Sequence, residues 1–115
     1  MRFEILQATV INDMMVKYND IDLKFEHNYY VCFDEELKNQ FNHLRDKFDT
    51  MELDIERFVN HIDDYKTVVL LYDKRTELMC LLDDIDKQLD KIIRYCDCIN
   101  KFHRKDMSEH IEDRR

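Results

Sequence analysis

The sequence predicts a mostly α-helical fold: a long antiparallel helical hairpin that carries a small N-terminal segment and assembles into an oligomeric helical bundle. Two observations lead to this fold class. Apolar residues recur at alternating steps of four and three over residues 37–72 and again over 78–99, as in the heptads of a coiled coil. Glycine and proline are both absent, so the chain lacks the residues that most often form tight turns. A length of 115 residues predicts one domain, residues 1–115.

The N-terminal head, residues 1–33, has two interpretations. Helical spacing places apolar residues of its first half on one face, which favours a helix over 2–18. Residues 21–33 instead alternate in a way that is typical of strands, and residues 26–28 could form the turn of a short β-hairpin. The head is therefore predicted to be a helix followed by a β-hairpin, with helix and strand both left open. The apolar face of the first half is Phe3, Leu6, Val10, Met14 and Tyr18.

Aromatic residues lie where the head meets the rest of the chain, at Tyr29, Tyr30 and Phe33. A cluster at such a junction either packs the head onto the helices or anchors a partner protein. A place in the core is the favoured interpretation, and as the alternative these three residues are the candidate partner-binding residues.

A long helix is predicted over residues 34–72. Asp34 is a favourable N-cap, and Glu35 and Glu36 suit the positive end of the helix dipole. The apolar residues of this helix, here named the first heptad stripe, form a narrow line between polar residues, as in a coiled coil. They are Leu37, Phe41, Leu44, Phe48, Met51, Ile55, Phe58, Ile62, Tyr65, Val69 and Tyr72.

A second helix is predicted over residues 78–104, after a turn at 73–77 and before a charged tail at 105–115. The five turn residues, DKRTE, are all polar, and Thr76 suits a helix N-cap. The second heptad stripe starts one residue before the first would continue, a shift of about 100° around a helix, which favours a turn. One continuous bent helix is the alternative, since neither Gly nor Pro interrupts it. The second stripe is Leu78, Leu82, Ile85, Leu89, Ile92, Cys96 and Ile99.

The two stripes predict self-association. A hairpin of two helices is a single layer, and burying its stripes, at about 1.5–3 kcal/mol per side chain, requires a further layer. A homodimer that forms a four-helix bundle supplies that layer. The predicted self-association residues are the whole first heptad stripe together with Leu78, Leu82, Ile85, Leu89, Ile92 and Ile99.

Two groups of residues contain side chains that bind metals elsewhere. Cys96, Cys98 and His103 lack the second ligand pair of structural zinc sites, and on a helix the two cysteines point about 200° apart. The aspartates at 83, 86 and 90 share a helical face, but lysines alternate with them as on a solvated surface. No metal, cofactor or catalytic residue is predicted, and the protein is predicted not to be an enzyme.

The charge balance restricts the partners. With 26 acidic and 18 basic residues the net charge is −8, which argues against direct binding to nucleic acid. No apolar run reaches the roughly 18 residues of a membrane span. Without a signal-peptide core, the chain is predicted to be intracellular, cytoplasmic or nuclear, with reduced cysteines.

The predicted function is a non-enzymatic coiled-coil or helical-bundle scaffold or adaptor, which acts through self-association and contacts with another protein. The alternative is a small acidic inhibitor, as viruses and phages use, that binds a basic, nucleic-acid-binding partner. Aspartates on outer helical faces would then replace phosphates, and they stand at positions 54, 63, 64, 83, 84, 86, 90 and 97.

Overall fold

The computed structural model describes residues 2–29 and 34–112, with side chains up to Phe102. This part of the chain forms three α-helices: α1 (Phe3–Asn28), α2 (Glu35–Asn60) and α3 (Val68–Glu112), with a short 3₁₀-helix, Ile62–Asp64, before α3. The helices run up, down and up as an elongated bundle of 73 × 24 × 17 Å. The 45 residues of α3 span about 67 Å at 1.5 Å per residue, so α3 sets the length of the molecule.

The N-terminal head is a helix up to Asn28, and the predicted β-hairpin is wrong for residues 21–28. Residues 30–33 lie outside the described part of the chain. Ile21 and Phe25 fit the alternation of a strand, but they are also one helical turn apart, and both are buried together with Val10 and Met14. Leu23, which the strand pattern would bury with them, is half exposed. Over this short stretch, helical spacing was thus mistaken for the period of two of a strand.

The predicted start of α2 is confirmed. The Asp34 side chain accepts a hydrogen bond from the Leu37 backbone N–H, 3.0 Å away. The first heptad stripe is buried along the whole of α2, from Leu37 to Phe58. Beyond this helix the stripe prediction weakens, because Ile62 and Tyr65 are only partly buried and Val69 is 67% exposed.

The helix break lies at 61–67, and the predicted turn at 73–77 is wrong, because residues 73–77 are part of α3. The His61 N–H closes α2 by donating to the carbonyls of Arg57 and Phe58, at 3.1 and 3.2 Å. Thr67 starts α3: its hydroxyl accepts from the Leu70 N–H at 3.2 Å, and its carbonyl accepts from the Leu71 N–H at 3.0 Å. No described residue has a positive φ, so a 3₁₀ turn replaces the glycine that such a corner usually contains.

The shift between the two heptad stripes also occurs at this break. Leu71 is fully buried, whereas Tyr72, the last member of the first stripe, is exposed. Leu71 lies seven residues before Leu78, so it belongs to the second stripe. In the polar run at 73–77, Asp73, Thr76 and Glu77 are exposed, and Arg75 reaches across to Asp13 of α1 at 3.4 Å.

Replacing Thr67 with Ala is expected to destabilise the protein by about 1 kcal/mol, because the helix α3 loses its N-cap. Thr76→Ala is the matched control. Thr76 lies exposed inside α3, so alanine there should be neutral or stabilise by up to about 0.7 kcal/mol through its higher helix propensity. Urea unfolding followed by circular dichroism measures both. A loss of stability on replacing Thr76, with none on replacing Thr67, would support a turn at 73–77 instead.

The three described helices share one core, and the residues predicted for self-association fill most of it. Chain association through them was predicted because the two stripes lacked cover, and in the structure α1 supplies that cover as a third layer. Ile99 and Tyr72 are exposed and lie outside this core. The buried apolar residues are Val10, Met14, Ile21 and Phe25 of α1; Leu37, Phe41, Leu44, Phe48, Met51, Ile55 and Phe58 of α2; and Leu71, Leu78, Leu82, Ile85, Leu89, Ile92 and Cys96 of α3.

The helices pack unequally. The backbones of α1 and α2 each lie close to α3 at many points but approach one another at few. Aliphatic residues fill the α3 side, whereas aromatic rings separate α1 from α2: Tyr18 stacks on Phe48 with centroids 4.5 Å apart, and Phe25 meets Phe41 edge to face at 5.3 Å. Large rings hold two helices further apart than leucine or isoleucine does. The bundle is therefore more open between α1 and α2.

Candidate functional site

The structure describes the side chains of both metal-site candidates except that of His103. Among the described residues, no three His, Cys, Asp or Glu side chains are placed to hold a metal ion. Cys96 is buried at the end of the core, while Cys98 is exposed. The His103 side chain lies outside the described part of the chain.

The acidic group of α3 instead forms ion pairs with α1. Lys17 contacts Asp83 at 2.7 Å and Asp86 at 3.3 Å, and Lys24 contacts Asp86 at 2.7 Å and Asp90 at 3.0 Å. Partial burial disfavours the ionised Asp86 carboxyl, but hydrogen bonds and charge from Lys24 and Lys17 outweigh it, so its pKa is lowered. The pKa of Lys17 is raised, first by its hydrogen bond to Asp83. These carboxylates hold α1 on α3 and are not a free acidic surface.

A concave surface lies on the open side of the bundle, between α1 and α2. We name it the α1–α2 groove. Its first depression, of about 260 Å³, has an apolar floor made by Met15 and Tyr18 of α1 and by Ile55 and Val59 of α2. Asn60 closes one end. These positions are three or four residues apart on each helix, so they form one continuous face.

A second depression, of about 320 Å³, lies further along the same groove. Its floor consists of Phe25, Tyr29 and Phe41, and Arg45 lies at its edge. The Tyr29 ring is 56% exposed and meets Phe41 at 6.3 Å. The first depression lies near the end of α2 and the second near its start. Because α1 and α2 are antiparallel, the order of the two depressions along α1 is reversed.

A bridge of side chains separates the two depressions. The Arg45 guanidinium contacts Asp22 of α1 at 2.9 Å and Asp49 at 3.3 Å. It also lies over the rings of Phe25 and Phe48, at 5.2 and 5.5 Å from their centroids. Two carboxylates and two aromatic faces thus hold the charge of Arg45 in place.

Acidic side chains line the rim. Glu52 and Glu56 lie at the first depression and Glu26 at the second, and all three are exposed. Arg45 is the basic residue among those that line the two depressions, and it is already paired with aspartates. Burial, followed by the charges of Glu52 and Asp22, raises the pKa of Tyr18 to about 12. The Tyr18 hydroxyl therefore stays neutral, and the groove combines an apolar floor with a negative rim.

Of the predicted partner-binding residues, Tyr29 lines the groove, whereas Tyr30 and Phe33 lie outside the described part of the chain. Sequence reasoning missed Met15 and Val59, which belong to no stripe. Each lies one position beyond a core residue, Met14 and Phe58 respectively. An apolar residue beside the core stripe broadens the apolar face, and that was the available signal.

Among the described residues, no helix has a stretch long and apolar enough to cross a lipid bilayer. Comparisons of the chain with protein-family models, with curated proteins and with solved structures find no match.

Proposed function

We propose that this protein is a non-enzymatic adaptor that binds a helical segment of another protein in the α1–α2 groove. The observation that carries this proposal is the groove itself, where two apolar depressions lie in line between the two helices whose backbones approach one another at the fewest points. Exposed apolar surface that polar residues border often marks a site of contact with another protein.

The shape of the groove favours a helix as the bound element. Two antiparallel helices border it and α3 closes its back, so a fourth helix would complete a four-helix bundle. Amphipathic helices bind such grooves through apolar side chains spaced by three, four and seven residues. The depressions supply places for these side chains, and the backbone of a bound helix satisfies its own hydrogen bonds.

The experiment is a selection of displayed helical peptides on the wild-type protein, followed by affinity measurements on two variants. Met15→Ser with Tyr29→Ser removes apolar surface from the groove. Val16→Ser with Leu23→Ser is the matched control, because both residues lie on the outer face of the same helix and are about half exposed. We expect the selected peptides to bind the groove variant at least about tenfold more weakly and the control variant as the wild type.

Two results would contradict the proposal. One is that the selection yields no peptide that binds the folded protein. The other is that the selected peptides bind the groove variant as well as they bind the wild type. Circular dichroism of both variants verifies that they keep the helical content of the parent, so that a lost affinity reports the groove.

The acidic inhibitor is the second candidate. Asp63, Asp64, Asp84 and Asp97 are exposed, which suits a basic partner. It has less support than the adaptor, because Asp83, Asp86 and Asp90 are engaged by lysines of α1 and the row of phosphate-like charges is interrupted. The inhibitor would be favoured if substitution of the outer aspartates of α3 weakened binding to a basic partner and the groove variant bound that partner as the wild type does.

A further inference from the structure

We propose that the segment bound by the α1–α2 groove is a basic amphipathic helix with two apolar anchors two heptads apart, an inference that rests on the proposed function. The juxtaposition that carries it is an acidic rim beside two apolar depressions that the Arg45 bridge separates.

The charges of the groove define the sign of the charge that the partner carries. Glu52 and Glu56 border the first depression, and Glu26 borders the second. On α1 the other charged residue toward α2 is Asp22, which holds Arg45. The glutamates therefore present negative charge on the α2 side of the first depression and on the α1 side of the second. Lysine or arginine flanking each apolar anchor would meet these carboxylates, while acidic residues there would be repelled.

The two depressions define the spacing of the anchors. Ile55 lies in the first and Phe41 in the second. They are fourteen residues apart on α2, which is about 21 Å along a helix axis. A bound helix that runs along the groove covers the same distance with two heptads, and its residues i and i+14 stay on one face. The Arg45 bridge fills the middle, so a small residue belongs at i+7.

Charge complementarity also argues against a second copy of this chain as the occupant. The chain carries a net charge of −8, and two acidic grooves that face one another would repel. The outward faces of α2 and α3 present further exposed carboxylates, among them Asp46, Asp84 and Asp97. These carboxylates would attract a cationic partner and would repel the carboxylates of a second copy.

The test uses a synthetic helix of about three heptads with leucine at i and i+14, alanine at i+7 and lysine beside each leucine. One control peptide has glutamate in place of every lysine. A second control moves one leucine by two positions, which turns it about 200° away from the face of its partner. Calorimetry with the full chain should show that each control binds at least about tenfold more weakly than the first peptide.

Charge reversal in the protein separates the rim from the overall charge. Glu52→Lys with Glu56→Lys should lower the affinity for the lysine peptide at least about tenfold and raise the affinity for the glutamate peptide. Asp84→Lys with Asp97→Lys changes the net charge equally and should shift both affinities by less than about threefold, since these residues are remote from the groove. Equal effects of the two pairs would overturn the proposal, because the attraction would then be unspecific.

The remaining outcomes distinguish this inference from the proposed function. Weaker binding to the variant Met15→Ser with Tyr29→Ser shows that a helix binds in the groove. If such helices show no preference for lysine or for the spacing of the anchors, the inference alone is overturned. Groove NMR signals that shift with protein concentration in the absence of peptide would identify a second copy as the occupant and also overturn it. If neither the synthetic nor the selected helices bind, the proposed function fails as well.

Discussion

Phe48→Ala is expected to lower the free energy of unfolding by about 3–5 kcal/mol, the range for truncating a buried phenylalanine. Phe48 is fully buried, stacks on Tyr18 at 4.5 Å and lies 5.2 Å from Phe25. It also lies under the Arg45 guanidinium. Removal of the ring leaves a cavity between α1 and α2. It also removes the contact of Phe48 with Arg45, the residue that divides the groove. Urea unfolding followed by circular dichroism measures the loss.

Leu53→Ala on the same helix is the control. Leu53 is 59% exposed on the outer face of α2, and its truncation should change stability by less than about 0.5 kcal/mol. Similar small effects at both positions would contradict the core described above, because they would place Phe48 on a surface that no part of the same chain covers.

Removal of α1 is the second large effect that we expect. A chain of residues 34–115 loses Val10, Met14, Ile21 and Phe25 from the core, and with them the lysines that pair with Asp86. Two helices form only one layer, so the buried faces of α2 and α3 would lie open to water. The shortened chain should associate or lose its cooperative unfolding. A folded, cooperatively unfolding monomer of 34–115 would contradict the role of α1.

The heptad spacing was sufficient to predict most of the core of α2 and α3, because a buried helix face repeats every three to four residues whatever covers it. The same spacing leaves open whether the cover is a second chain or a third helix. Here α1 provides it, and its own pattern was harder to interpret because apolar residues lie on several of its faces, among them Ile5, Val16 and Leu23, all about half exposed.

The position of the turn was hidden by the same pattern. Ile62 and Tyr65 continue the first stripe through the break, because the 3₁₀ turn folds them back onto the core, with the Tyr65 ring 4.9 Å from that of Phe58. The sequence does contain a cap former at Thr67, but Thr76 sits in a more polar run and was the stronger signal. Only the tertiary contacts distinguish the two positions.

The groove could be predicted only in part. Tyr29 was selected from its aromatic neighbours as a candidate partner-binding residue, and a basic partner belonged to the alternative prediction of an acidic inhibitor. The apolar floor depends on the distance between α1 and α2, which the aromatic packing sets, and heptad spacing carries no information about that distance.

The central claim is that α1 closes the core within one chain and leaves the α1–α2 groove as the open face. The mass in solution, measured by light scattering after size exclusion over a wide range of concentration, tests it most directly. A mass of 14.3 kDa throughout is the predicted result. A mass of two or more chains at every concentration would contradict it, since the heptad stripes or the groove would then be covered by another copy.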